Sequence, residues 1–146
     1  MSSTTFSGPV TSTNGFIGAI LGPLLNPVVT HVPVAINATA TATAAQVASG
    51  YITSTSVAAT TITLPTGTLL GAALNASQGT ITELYIDNTA GGSLVTLAVA
   101  TNGILSDAAT TALSFGDLTV GSGITGVARF TIMFSSATAY VFTRTA

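Results

Sequence analysis

The chain has 146 residues, and six of them carry a formal charge at neutral pH: Glu83, Asp87, Asp107, Asp117, Arg129 and Arg144. That is 4 % of the sequence, against about 25 % in an average soluble domain. A net charge of −2 with two arginines and no lysine excludes an electrostatic nucleic-acid interface, which needs a basic face. The absence of cysteine excludes disulfides, thiolate zinc sites and a thiol nucleophile.

The length suits one domain with a real core. Designed soluble surfaces usually need roughly 25–35 % charged residues, so much of this surface is expected to be buried against partners, with Ser and Thr hydrating the rest. The alternative is a hydroxyl-coated monomer. The apolar window Gly15–Ile36 is long enough for a membrane span, but it contains Pro23, Pro27 and Pro33. Each proline costs about 3 kcal/mol inside a helix, and no Lys or Arg flanks the window. Met1–Thr5 lacks the positive charge of a signal peptide. Neither a membrane span nor a signal peptide is expected.

Residues 1–38 read as an extended arm. Gly8, Pro9, Gly15, Gly18 and Gly22 break it early, and prolines recur to Pro33. No helical or strand period persists until Val28–Ile36, a candidate edge strand. The arm is nevertheless too apolar for a solvated tail. It must cover one end of its own domain or reach a neighbouring subunit. Phe6, Pro9, Phe16, Ile20, Leu21, Leu24, Leu25 and Val28 are its candidate contact residues.

Residues 39–146 read as a single β-rich domain. Thr39–Thr43 alternates and leads into a helical turn with Thr43 as N-cap and Gly50 as C′ residue. Tyr51–Ser56 and Thr60–Leu64 are short strands, the second ended by Pro65. Leu69, Leu70, Ala73 and Leu74 suit a short helix over Thr68–Ala76, stopped near Gly79. Ile81–Ala100 is predicted to be a hairpin turning at Asn88–Ser93, with Leu84 and Ile86 opposite Glu83, Tyr85 and Asp87. Asn102-Gly103 is a further turn. Ile104–Phe115 is expected to be loop with a short strand, and Asp117–Val120 a strand ended by Gly121-Ser122-Gly123.

In the C-terminal hairpin Ile124, Ala128, Phe130, Ile132 and Phe134 share one face. A three-residue loop at Ser135–Ala137 would set Phe130 opposite Phe142 and Ile132 opposite Tyr140, joining aromatic pairs worth roughly 0.2–1 kcal/mol. Short strands, one or two short helices and no βαβ rhythm predict an all-β fold, an antiparallel sandwich or jelly-roll-like barrel with an N-terminal arm.

Little in the sequence suggests catalysis. His31, the lone histidine, lies in a proline-rich apolar stretch and reads as structural; no Gly-x-Ser-x-Gly elbow accompanies it. Glu83 and Asp87 would share a strand face about 13 Å apart at roughly 3.3 Å per residue, beyond the roughly 5–9.5 Å of a glycosidase pair. They read as a solvated face. Asp107 and Asp117 are isolated, and no calcium loop is present. Gly121-x-Gly123 lacks the helix of a phosphate loop. Thr-x-Thr rows at Thr39, Thr41 and Thr43 or Thr61 and Thr63 lack the fixed repeat of an ice-binding face; β propensity accounts for them. No enzyme, metal or cofactor is expected.

Thr5-Phe6-Ser7-Gly8-Pro9-Val10 is followed by Asn14-Gly15-Phe16, and Thr43-Ala44-Ala45-Gln46-Val47 by Gly50-Tyr51-Ile52 and Thr61-Ile62-Thr63-Leu64-Pro65. Ile86-Asp87-Asn88-Thr89-Ala90 with Val95-Thr96-Leu97, and Arg129-Phe130 with Ser136-Ala137-Thr138-Ala139-Tyr140, continue the pattern. Together these stretches resemble tailed-phage capsid decoration (cement) proteins. The resemblance implies a β-rich homotrimer on the outer surface of an icosahedral head, clamping major capsid protein subunits at three-fold or quasi-three-fold positions. It brings no catalytic residues, and it makes the arm residues capsid or intersubunit contacts. A fibre or receptor-binding module of the virion is the alternative, though the long repetitive shaft usual in fibres is missing.

Overall fold

The computed structural model describes residues 30–105 and 118–146, and its consecutive strands alternate between two sheets. Strands β1 (Val34–Ala35), β3 (Tyr51–Thr53) and β5 (Ile81–Asp87) lie side by side in one sheet. Strands β2 (Ala40–Thr41), β4 (Thr60–Thr63) and β6 (Val95–Ala98) lie side by side in the other. Every neighbouring pair within these two triplets is parallel. The chain therefore winds through three stacked coils, each contributing one strand to each sheet. The first two coils carry a helix after their second strand, α1 (Ala44–Ala48) and α2 (Gly67–Leu74), and the helices lie against each other.

The rest of the chain closes the sheets. Strands β7 (Gly103–Leu105), β9 (Val127–Ser136) and β10 (Ala139–Arg144) complete a six-stranded sheet of order β1-β3-β5-β9-β10-β7. Strand β8 (Thr119–Val120) completes a four-stranded sheet of order β2-β4-β6-β8. Pairs β5/β9, β9/β10 and β6/β8 are antiparallel, and β7/β10 is parallel.

The expected all-β antiparallel sandwich or jelly-roll-like barrel is thus incorrect. The fold is mixed α/β, with two mixed sheets and two helices among the described residues. Parallel neighbours are usually recognised by a long helical crossover. Here each crossover runs through a strand of the opposite sheet as well as one short helix, so the chain reads strand-strand-helix instead of showing a βαβ rhythm.

Alternation still assigns the faces. Ile52, Leu84, Ile86, Phe130, Ile132, Phe134 and Phe142 from one sheet meet Ile62, Val95, Leu97 and Val120 from the other in one core, each at most 1 % exposed. Burying each such side chain contributes roughly 1.5–3 kcal/mol before ordering costs. Ile124 is an exception to the predicted inner face. It sits in a 3₁₀ turn, Gly123–Thr125, and is fully exposed.

The helix boundaries follow their caps. Thr43 accepts from the Gln46 N–H while Gln46 Oε1 accepts from the Thr43 N–H, a complete capping box. Gly50 follows at φ +77°, where a side chain would be strained. A Cβ there would also come within 2.5 Å of His31 Nδ1. Helix α2 starts on the Thr66 cap and stops at Asn75 in the left-handed region, earlier than Gly79.

Both predicted hairpins are revised. Strands β5 and β6 belong to different sheets, so Ile81–Ala100 is a sheet-to-sheet corner. At that corner the buried Asn88 Nδ2 donates to the carbonyls of Ser93 and Gly121, both at 2.8 Å, and of Val120 at 3.3 Å. Strands β9 and β10 do form a hairpin, but Phe142 pairs with Ile132 and Tyr140 with Phe134, with an irregularity at Ala139/Tyr140. The pairing is two residues from the predicted register. An even shift preserves the face, so Phe130 and Phe142 still stack, with centroids 4.9 Å apart.

Candidate functional site

Most of the charge among the described residues collects on the outer face of the six-stranded sheet. Positions facing the core alternate with Tyr51 and Thr53 on β3, with Glu83, Tyr85 and Asp87 on β5, and with Arg129 on β9. Register sets Tyr51, Tyr85 and Arg129 in one row across three strands. Glu83 and Asp87 flank that row on β5.

Each carboxylate is held by a tyrosine. The Tyr51 hydroxyl donates to Asp87 Oδ2 at 2.7 Å, and the Tyr85 hydroxyl donates to Glu83 Oε2 at 2.9 Å. Asp87 Oδ1 accepts from the Thr89 hydroxyl at 2.6 Å and the Thr89 N–H at 2.9 Å. These bonds hold the Asp87 carboxyl below its ordinary pKa, the Thr89 hydroxyl contributing most, then the Thr89 N–H and the Tyr51 hydroxyl. Because its proton bonds Asp87, the Tyr51 hydroxyl has a raised pKa, with burial adding to the shift. Arg129 Nη1 lies 3.8 Å from Glu83 Oε1 with both side chains partly exposed, a contact worth about 0–1 kcal/mol.

His31 supports this face from the edge. Its Nδ1 lies 2.8 Å from the Ser49 carbonyl, and its ring centroid is 5.9 Å from that of Tyr85, tilted by 46°. The sequence places Glu83, Tyr85 and Asp87 on one face, as found. It does not show that Tyr51 joins them, because that contact depends on the parallel pairing of β3 with β5.

The same sheet carries a second surface feature. Ile81, Met133, Val141 and Ile104 stand in register across β5, β9, β10 and β7. Ile81 is 61 %, Met133 45 % and Ile104 56 % exposed, so the row forms an apolar stripe beside the polar one.

A depression of about 410 Å³ lies near the helix N-termini, lined by Thr41, Ala42, Thr43, Pro65, Thr66 and Leu69 among others. Thr43 and Thr66 spend their hydroxyls on the helix caps, and the lining holds no titratable side chain. Among the described residues no three of His, Cys, Asp and Glu gather as metal ligands. None of their helices is long and apolar enough to cross a membrane.

The predicted contact residues Phe6, Pro9, Phe16, Ile20, Leu21, Leu24, Leu25 and Val28 lie outside the described residues, as do Asp107 and Asp117. The bond from Tyr51 to Asp87 and the apolar row are features that sequence reasoning missed. Val141 and Ile104 show no common pattern until β7 is seen to pair with β10. No protein-family model, curated protein or solved structure matches the chain.

Proposed function

We propose that the protein is a structural component of a virion, a decoration (cement) protein that binds the outside of an icosahedral phage head as a homotrimer. In this role it stabilises contacts between major capsid protein subunits. The resemblance of its sequence to such proteins suggests the role, and the observation that best supports it is the apolar row Ile81–Met133–Val141–Ile104. Four outward apolar side chains in register cost solubility unless a partner covers them. The row is the proposed intersubunit seat, and the arm residues Phe6, Pro9, Phe16, Ile20, Leu21, Leu24, Leu25 and Val28 are the proposed contacts to capsid or neighbour. Low charge favours such contacts, because stable interfaces are depleted of charged residues at their centres.

Light scattering on the full chain tests the assembly, with a trimer as the expected mass. Cosedimentation with undecorated heads tests the role. Binding should saturate and should weaken little from low to high salt, since few charges are available to screen. A monomer at micromolar concentration that leaves the heads bare would refute the proposal.

A further inference from the structure

We propose that the outer face around Tyr51 and Tyr85 is a binding site for a neutral, hydroxyl-rich saccharide. This goes beyond the decoration role and uses a different part of the sheet. Tyr85 is four residues from Ile81 along β5, about 13 Å at roughly 3.3 Å per residue, so the tyrosines lie outside the apolar row itself.

Both rings are tethered through their hydroxyls. The Tyr85 hydroxyl bonds Glu83, two residues back on the same strand and the same face. The Tyr51 hydroxyl bonds Asp87, two residues beyond its register partner Tyr85. A side chain tethered to a neighbour on its own face lies along the sheet rather than standing off it. Both tyrosines are half-buried and tethered through their hydroxyls, so each presents a restrained aromatic side chain at the surface. The apolar C–H face of a pyranose ring packs on such a surface, and the tethers reduce the ordering cost of binding.

Polar groups surround the rings in the arrangement a sugar requires. Glu83 keeps acceptor capacity beyond its bond from Tyr85, Asp87 keeps less because it already accepts from Tyr51 and twice from Thr89, and the Arg129 guanidinium adds donors. Hydroxyl groups on the rim of a stacked sugar are within the chemistry of both. A few fixed polar groups around an apolar surface set orientation and specificity.

Charge selects the class of sugar. Two carboxylates against one guanidinium leave this face net negative, which disfavours sialylated or uronic saccharides. His31, from the sheet edge, packs on Tyr85 and fixes its position. With two rings on an open surface, the expected affinity is weak, with Kd on the order of 1 mM.

The test is an NMR titration of the full chain with maltohexaose, cellohexaose and chitohexaose, using sialyllactose as the anionic comparison. At least one neutral probe should shift the amide resonances of Tyr51, Tyr85 and Asp87. Tyr51→Ala and Tyr85→Ala should each weaken that probe by on the order of tenfold. Thr96→Ala, on the other sheet, should leave it unchanged. Tyr51→Leu keeps apolar bulk but removes the aromatic face, and it should also lose binding while remaining folded by circular dichroism. The proposal is overturned if no neutral probe binds, if sialyllactose binds more tightly, or if a folded Tyr51→Leu protein binds like wild type. Head cosedimentation by Tyr51→Leu should be unchanged, so this site and the decoration role fail separately.

Discussion

The hydroxyl of Tyr140 donates to the carbonyl of Pro65 at 2.8 Å, joining β10 to the segment that leads from β4 into α2. Tyr140 is fully buried, and burial pushes its pKa up from 10.0 to about 12. Tyr140→Phe removes the donor to a buried carbonyl and should cost about 1–3 kcal/mol. Below pH 10 both folded and unfolded chains hold this proton, and the contribution of Tyr140 is complete. As pH rises toward about 12 the unfolded chain ionises first, so stability falls. Urea midpoints measured against pH should therefore converge for wild type and Tyr140→Phe in the alkaline range.

Asp87 responds at the opposite end of the scale. Its folded pKa lies below the ordinary 3.8, chiefly through the Thr89 hydroxyl. The stability this provides is present above that ordinary value and is lost as pH falls through the lower folded pKa. Thr89→Val keeps the shape and removes the hydroxyl. The Asp87 carboxyl should then titrate at higher pH by NMR, and acid unfolding should begin at higher pH. Identical Asp87 titrations in the two proteins would mean that the hydroxyl contact is not maintained in solution.

How much of this was legible in the sequence depends on which contacts are local. The alternation at Leu84 and Ile86, and at Val95 and Leu97, marks inward positions correctly, because side-chain direction is set by the strand's own period. The caps at Thr43 and Thr66 involve partners three residues away, and the first was readable. Strand partners were not. Thr-rich and Ile-rich segments look alike in parallel and antiparallel sheets, and Gly91-Gly92 serves a corner as readily as a hairpin. The candidate site divides the same way. Glu83, Tyr85 and Asp87 share a strand, whereas Tyr51, Arg129 and the row from Ile81 to Ile104 meet through long-range register.

Asn88 is the residue that makes the corner, and its substitution should be costly. Its Nδ2 serves three carbonyls, so the amide orientation is fixed: a reversed amide would set oxygen against oxygen. Asn88→Ala leaves those carbonyls without this donor and should cost about 1–3 kcal/mol. Asn88→Asp should cost more, because it buries a charge facing acceptors. Denaturant midpoints for the pair test the order. Equal stability for Asn88→Asp and wild type would contradict the buried corner.

Gly71 sets two effects of opposite sign against each other. It lies within α2, where glycine is about 1 kcal/mol less favourable than alanine, so local propensity predicts that Gly71→Ala stabilises. Packing predicts the reverse. Helix α2 rests on the β9–β10 turn, and a Cβ at Gly71 would overlap the Ala137 carbonyl oxygen while lying 3.3 Å from the Phe134 ring. The obstacle is backbone in a tight turn, which cannot swing aside as a flexible side chain would. Overpacking of this kind costs typically about 1–3 kcal/mol, enough to exceed the propensity gain. Gly71→Ala should therefore lower the denaturant midpoint. Ala73→Gly, at an exposed position of the same helix, reports propensity alone and should cost about 1 kcal/mol. A Gly71→Ala protein more stable than wild type would show that α2 does not sit against the hairpin turn.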